Sequence, residues 1–269
     1  MKIKECLCKF AIVKSKIYGM DYAINPYTGC EHACVYCYAT FMKKYTNHND
    51  MWGEFVDVKV NAPTVLKKQL KRIKEGSVLL SSVTDPYQPV EKKYEITRKC
   101  LKVLSKSSLD VSILTKSSLV LRDIDILSEM NASVGFTITT LNEDVRLKFE
   151  PRASPVSERL DAVKKLSGKG VETWVFFGPI LPVFSDSKEE IDRIFDACKE
   201  AGVSYVVADR INLYSSVRER IRTLLMTEYP GIIKEYEHIM HNEREYNSRL
   251  HYMIREAATR HKILIKECF

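Results

Sequence analysis

Cys30, Cys34 and Cys37 stand in the run Asn-Pro-Tyr-Thr-Gly-Cys-Glu-His-Ala-Cys-Val-Tyr-Cys-Tyr-Ala, with a gap of three residues and then one of two. Thiolates this close along a chain can wrap around one inorganic centre, and Pro26 and Gly29 permit the tight loop that requires. A closed structural site wants four ligands. Only three are local here, so a metal held by them keeps an open coordination position where a substrate can bind. Two centres fit the thiols: an iron–sulfur cluster, or a structural zinc completed by His32, Cys6 or Cys8.

Those thiols need elements to hold them. Short apolar, β-branched runs occur at Ala23-Ile24-Asn25, Ser77–Val83, Val111–Thr115, Val134–Thr139, Thr173–Phe177 and Tyr205–Ala208. Each is followed by a stretch with helical spacing, including Ile96–Leu104, Leu121–Met130, Val156–Leu166 and Glu189–Ala201, with Gly168, Gly170 and Gly202 as stop signals. Unbroken apolar strands alternating with amphipathic helices imply a parallel sheet covered by helices. Six such units predict an α/β fold, a partial (β/α)6 TIM-like barrel, with a doubly wound open sheet as the alternative. The polar insertion around Asn47–Asn61 reads as a loop or small hairpin. The expected organisation is a core over residues 1–229 and a helical extension over 230–269 packed on it. That extension places Ile233, Tyr236, Ile239 and Met240 on one face and ends in a short strand at Ile263–Ile265.

In parallel folds of this kind the functional groups gather at the C-terminal ends of the strands. In order these ends carry the cysteine loop; Ser82, Thr84 and Asp85; Lys116 and Ser117; Thr139 and Thr140, then Glu150 and Arg152; Pro179; and Asp209, Arg210 and Asn212. All but the fifth are polar or ionisable, so one face reads as an active site.

Composition narrows the class. The 269 residues, 45% hydrophobic and 29% charged, suffice for one well-cored domain. The longest apolar stretch, Trp174–Phe184, is broken by Gly178, Pro179 and Pro182 and falls short of the roughly 20 residues that cross a bilayer, so no membrane is expected. The N-terminus has no apolar signal segment, so a cytoplasmic location is expected and the eight cysteines read as reduced thiols, some of them ligands. The formal charge of +7 permits a polyanionic partner such as nucleic acid without requiring one.

The cysteine spacing with Tyr36 resembles the signature of the radical S-adenosylmethionine (SAM) superfamily. The wider pattern, Gly-Met-Asp-Tyr-Ala-Ile-Asn-Pro-Tyr-Thr-Gly-Cys, then Val-Thr-Asp-Pro-Tyr-Gln-Pro-Val-Glu, Ile-Leu-Thr-Lys-Ser and Glu-Pro-Arg, resembles its spore photoproduct lyase-like branch, from about Gly19 to Tyr214. The resemblance implies a 4Fe-4S cluster on Cys30, Cys34 and Cys37, with SAM chelating the remaining iron. It also implies reductive cleavage of SAM to a 5′-deoxyadenosyl radical that abstracts hydrogen from a substrate. A ferredoxin- or flavodoxin-like donor would supply the electron.

The same resemblance distributes roles. Tyr36 takes the aromatic position that meets the adenine. Thr84, with Asp85, stands where the methionine amino group binds, and an oxygen suits an ammonium. Lys116 neutralises the methionine carboxylate or a ribose-side oxygen, with Arg152 the second candidate. Thr139 or Thr140 hydrogen-bonds the ribose, and Asp209, Arg210 and Asn212 contact substrate. Tyr38 resembles a tyrosine that relays hydrogen in those lyases. Ser82 stands where they carry a reactive cysteine, and its O–H bond is too strong for that donor role. The region after the sixth strand is also shorter than theirs. The substrate implied by the resemblance is damaged or modified nucleic acid; Ser82 and the short C-terminal region favour a small molecule or peptide. A non-catalytic zinc or iron–sulfur module is the reading from a different class.

Other features read as structure. Cys100 and Cys198 lie among apolar helical neighbours, Cys6 and Cys8 make a poor ligand set alone, and Lys67–Lys74 reads as a solvated helix face. His238 and His241 read as surface or packing residues.

Overall fold

The structure is a computed structural model that describes residues 1–212 and 214–269. Its strands form two sheets. The smaller joins β1 (Lys2–Cys6), β4 (Tyr27–Thr28) and β5 (Phe55–Lys59) in the order β1-β5-β4. The larger contains β2 (Ile12–Lys14), β3 (Tyr22–Ile24), β6 (Ser77–Leu80), β7 (Asp110–Thr115), β8 (Ala132–Thr137), β9 (Glu172–Ile180), β10 (Tyr205–Arg210) and β11 (Leu264–Glu267).

Six of these, β3-β6-β7-β8-β9-β10, are parallel and lie side by side in strict chain order. A doubly wound sheet reverses its order at a switch point, and this one never does. Right-handed crossovers in one direction then place every connecting helix on one face, and the sheet curls with that face outward. β2 joins one edge antiparallel and β11 the other parallel, and among the described residues the two edges are not paired with each other. The result is the partial (β/α)6 barrel.

Strand alternation sorts the side chains. Val78, Leu80, Val111, Ile113, Val134 and Phe136 face outward into a core shared with the helices Ile96–Leu104 and Val156–Ser167. Val175, Phe177, Val206 and Ala208 continue that layer against the helices Lys188–Ala201 and Glu243–His261. On the inner face, Trp174 stacks on Tyr205 with ring centroids 5.7 Å apart. A Cβ on Gly135 would come within 2.4 Å of the Trp174 ring, so only glycine on β8 admits that indole. A third core cluster joins Cys34 and Tyr36 to Phe149, Leu181, Ile221, Leu225 and Tyr236, so the cysteine loop rests on helices Ser215–Glu228 and Ile233–His241.

Three expectations change. The insertion contains β5, whose Phe55, Val56 and Val58 are fully buried and which pairs with β4 on one side and β1 on the other. The helix expected at Leu121–Met130 is a 3-10 turn, Ser118–Asp123, followed by a single turn, Ile124–Leu127. It is interrupted where Asp123 turns inward to bind Arg98, Arg122 and the Tyr87 hydroxyl. The last strand is Leu264–Glu267, pairing with β10. Among the described residues, no helix is long and apolar enough to cross a membrane.

Candidate active site

β4 runs directly into the cysteine loop through Gly29, which adopts φ +90°. A Cβ there would lie 2.3 Å from the Phe55 carbonyl oxygen, so the loop lies against β5 only because residue 29 lacks one. The loop is then fastened from the end of β6. The Thr84 hydroxyl donates to the Gly29 carbonyl at 2.6 Å, and Gln88 donates to that carbonyl and to Thr84 Oγ1 while its own Oε1 accepts the Glu31 amide at 2.9 Å. Farther along, the Val35 amide donates to the Phe149 carbonyl at 2.9 Å, and Arg220 Nη2 donates to the Cys37 carbonyl at 2.6 Å.

All three thiols line one cleft with an internal volume of ≈ 200 Å³. Cys30 and Cys34 are buried and Cys37 is partly so. Burial pushes all three upward, Cys34 to about 12, so as free thiols they keep their protons. Soft sulfur donors of this kind exchange those protons for a soft metal centre. Among the described residues, no group of three or more His, Cys, Asp or Glu could hold a single metal ion. All three cysteines border one shared space.

Around that space the strand ends converge as their order requires. Tyr36, Tyr38, Ser82, Thr84, Asp85, Lys116, Asp209, Arg210 and Asn212, all singled out from the sequence, line the cleft. Lys116 Nζ lies 5.6 Å from the centre of the Tyr36 ring and makes no ion pair among the described residues. Burial alone would lower its pKa, but the groups around it that can carry negative charge, Cys34 first and then Glu150 and Asp85, hold it above the ordinary lysine value. It enters the cleft as an ammonium.

Asp85 is fully engaged. Its Oδ1 accepts from the Tyr87 amide at 2.9 Å and the Thr115 hydroxyl at 2.7 Å, and its Oδ2 accepts from the Lys116 amide at 2.8 Å. His32 Nδ1 lies 3.3 Å from Oδ2, but without the alignment of a hydrogen bond. Burial would raise this carboxyl; His32 and the donors outweigh it and hold Asp85 at about 2. Asp85 therefore joins the ends of β6 and β7 and has little capacity for a ligand. The Thr84 hydroxyl spends its proton on Gly29 and retains one lone pair. The Tyr38 hydroxyl donates to the Ser82 carbonyl, and Ser82 Oγ accepts from Asn25 at 3.1 Å, so both lie at the same wall.

Thr139, Thr140 and Arg152 lie outside the cleft lining. β8 ends at Thr137, and that residue presents the hydroxyl on the wall instead. Thr139 donates to Glu150 Oε1 at 3.0 Å, and Thr140 accepts the Asn142 amide at 3.0 Å at the start of the helix Glu143–Phe149. Arg152 turns away to the Gly53 carbonyl, 2.7 Å distant, and Glu54.

The sequence marked Glu150 as a strand-end carboxylate but gave it no role, and Arg159 lay unremarked inside a helix. Both are fully buried. Glu150 accepts from the Tyr36 hydroxyl, Thr139 and Arg159; Arg159 also donates to the carbonyls of Ser154 and Thr137, each at 2.8 Å. Burial raises the Glu150 carboxyl, yet Arg159 and Lys116 outweigh it and keep it ionised. The available signal was an arginine at the core-facing spacing of an amphipathic helix, which demands a buried acid as partner.

Asp209 is the contrasting carboxylate. It lines the cleft, its side chain has no partner among the described residues, and burial pushes it up to about 6. An ordinary aspartate titrates near ~3.9. The ionised form is thus disfavoured on folding, a penalty absent below the unfolded value and complete above the folded one. Asp209→Asn is expected to raise the melting temperature at pH 8 and leave it unchanged at pH 4; equal effects at both values would refute this environment for Asp209.

The radical SAM superfamily profile matches residues 24–198. An uncharacterized protein of Methanocaldococcus jannaschii is 42% identical over 187 residues, covering 69% of this chain and 70% of its own length. A solved spore photoproduct lyase superposes with a TM-score of 0.71 at 15% identity over 98% of this chain and 81% of its own. The lyase complexed with dinucleoside spore photoproduct gives 0.66 at 18% identity, and there the match covers 85% of this chain and spans only 66% of the lyase chain. The superfamily's chemistry rests on SAM and a 4Fe-4S cluster, which is what three cleft-facing thiols can serve. The chain belongs to the radical SAM superfamily and has the fold of its spore photoproduct lyase-like branch.

Proposed function

We propose that Cys30, Cys34 and Cys37 hold a 4Fe-4S cluster and that SAM occupies the cleft beside it, making this chain an enzyme that abstracts hydrogen from a substrate. The observation that carries this reading is the convergence on a single cleft of three cysteines free of disulfides and of Lys116, which makes no ion pair among the described residues. When bound, cluster and SAM supply reductive cleavage of the sulfonium carbon–sulfur bond to methionine and a 5′-deoxyadenosyl radical, with the electron from a ferredoxin- or flavodoxin-like donor. The protein's work is binding, orientation and exclusion of water.

Lys116 meets the methionine carboxylate as a fixed cation, and the free lone pair of Thr84 accepts from the amino group. The Tyr36 ring forms the flat wall for the adenine. Thr137 takes the ribose-facing place first given to Thr139 and Thr140. Asp85 acts on Lys116 by holding its amide. Tyr38 and Ser82 lie where the substrate enters, with Asp209, Arg210 and Asn212 opposite.

Damaged or modified nucleic acid is the substrate class the rim supports. Tyr38 lines the cleft and stacks on Phe41 at 6.5 Å, and Lys44 Nζ lies 5.8 Å from the Phe41 ring and 4.9 Å from Tyr45. Exposed rings interleaved with cations suit bases and phosphates together. Oligonucleotide binding that weakens steeply with salt is expected. No binding at low salt would move the substrate to a small molecule or peptide.

The deciding experiment is anaerobic. The protein is reconstituted with iron and sulfide, reduced with dithionite and given SAM, while 5′-deoxyadenosine and the cluster's EPR signal are followed. Product that Cys34→Ala abolishes is the expected result. One bound zinc, no SAM-responsive signal and no 5′-deoxyadenosine would show the triplet to be structural.

A further inference from the structure

The Cys34–Val35–Tyr36 stretch is gripped from the end of the helix Glu143–Phe149 in two places. The Val35 amide donates to the Phe149 carbonyl at 2.9 Å, and one residue on, the Tyr36 hydroxyl donates to the Glu150 carboxylate. Tyr36 therefore has its backbone tied to the cysteine loop and its phenol tied to a separate element, with the ring between them facing the cleft. Glu150 in turn cannot move. Its second oxygen is held by Arg159, whose remaining donors bind the carbonyls of Ser154 and Thr137, the latter at the end of β8. Neither Glu150 nor Arg159 touches the cleft itself.

We propose that Glu150, locked by Arg159, is a positioning residue that acts through the Tyr36 phenol to fix the ring wall on which the adenosyl end of SAM is seated. This rests on the functional reading above. A buried ion pair is a weak device for stability alone, since a well-packed apolar pair serves as well or better. It does, however, fix one rotamer of a ring that also bears on Cys34 and Lys116. The pair fits orientation better than bulk stability.

Three variants and the wild type separate these roles. In Tyr36→Phe the ring and the Glu150–Arg159 pair remain and only the phenol hydrogen bond is lost. In Glu150→Gln the acceptor remains but Arg159 loses its counter-charge. The double variant Glu150→Gln with Arg159→Met removes that orphaned charge and serves if the single variant does not fold. Each is reconstituted anaerobically, its iron, sulfide and melting temperature are measured, and SAM is titrated against the EPR signal of the reduced cluster. The expected result is wild-type iron and sulfide in Tyr36→Phe and in the double variant, with about a tenfold higher SAM concentration needed for the half-maximal EPR change in Tyr36→Phe, the size of one lost charge-assisted hydrogen bond, and a smaller rise in the double variant, whose amide oxygen still accepts from the phenol but without charge. Wild-type SAM titration in Tyr36→Phe would overturn the proposal. So would loss of iron and sulfide in proportion to lost melting temperature, the mark of a purely structural pair. A wild-type protein whose cluster never responds to SAM would overturn the functional reading, and the proposal with it.

Discussion

Arg159→Met should destabilise the fold by about 3–5 kcal/mol, because it strands an ionised carboxylate in the core. For a chain of this size the melting temperature should fall on the order of 10 °C. Both partners are completely shielded from solvent, so water cannot screen or replace the lost guanidinium. Glu150 would keep only the Tyr36 and Thr139 hydroxyls, neither of which carries charge. Its remaining recourse is to take up a proton, which makes the deficit depend on pH. In the variant the folded pKa of Glu150 rises above its unfolded value near ~4.3. The protonated form is then the tolerated one, and stability is lost as pH rises through that raised value. Denaturant unfolding should show a smaller gap to wild type at pH 5 than at pH 8. A gap below about 1 kcal/mol at pH 8 would mean that water or Lys116 compensates the carboxylate.

How much of this was legible in the chain follows from how local each signal is. The cysteine triplet needs nothing beyond its own spacing. The six parallel strands were legible because both their faces are buried, which forces apolar, β-branched runs. The helix Ile96–Leu104 was legible to the residue because Ile96, Cys100, Leu101 and Leu104 repeat on one face. β5 was not, because its partners β4 and β1 lie on the far side of the cysteine loop, at distances no periodicity reports.

The site followed the same rule. Residues on the strand ends reached the cleft wherever the strand ended where its pattern did. β8 stopped two residues short of the expected Thr139, so Thr137 took the wall and the next two threonines were released, one to hydrogen-bond Glu150 and the other to accept the amide of Asn142, the residue that caps the helix Glu143–Phe149. Arg152 was claimed by Gly53 and Glu54, residues of the very insertion whose structure the sequence concealed. The Tyr36–Glu150–Arg159 chain joins three elements, and no single stretch of sequence carries its signal.

Asp85→Asn is the second large effect, and its gap to wild type also shrinks as pH falls, here because the wild type loses the stabilising charge. The carboxylate accepts from Tyr87, Thr115 and Lys116, so an amide in its place turns an –NH2 group toward at least one donor that still needs an acceptor. With the folded pKa held at about 2 and an unfolded value near ~3.9, the ionised form contributes about 2–3 kcal/mol at neutral pH. That contribution is complete above the unfolded value and is lost as pH falls through the folded one. Denaturant unfolding should show the full gap between wild type and Asp85→Asn at pH 7, and roughly half of it at pH 3. An equal gap at both pH values would mean that packing rather than charge carries the effect. The consequence reaches the cleft through the Lys116 amide. Once β6 and β7 lose their shared carboxylate, the Lys116 ammonium, which makes no ion pair among the described residues, loses the anchor of its backbone, and affinity for a carboxylate-bearing ligand should fall even at pH values where the variant is folded.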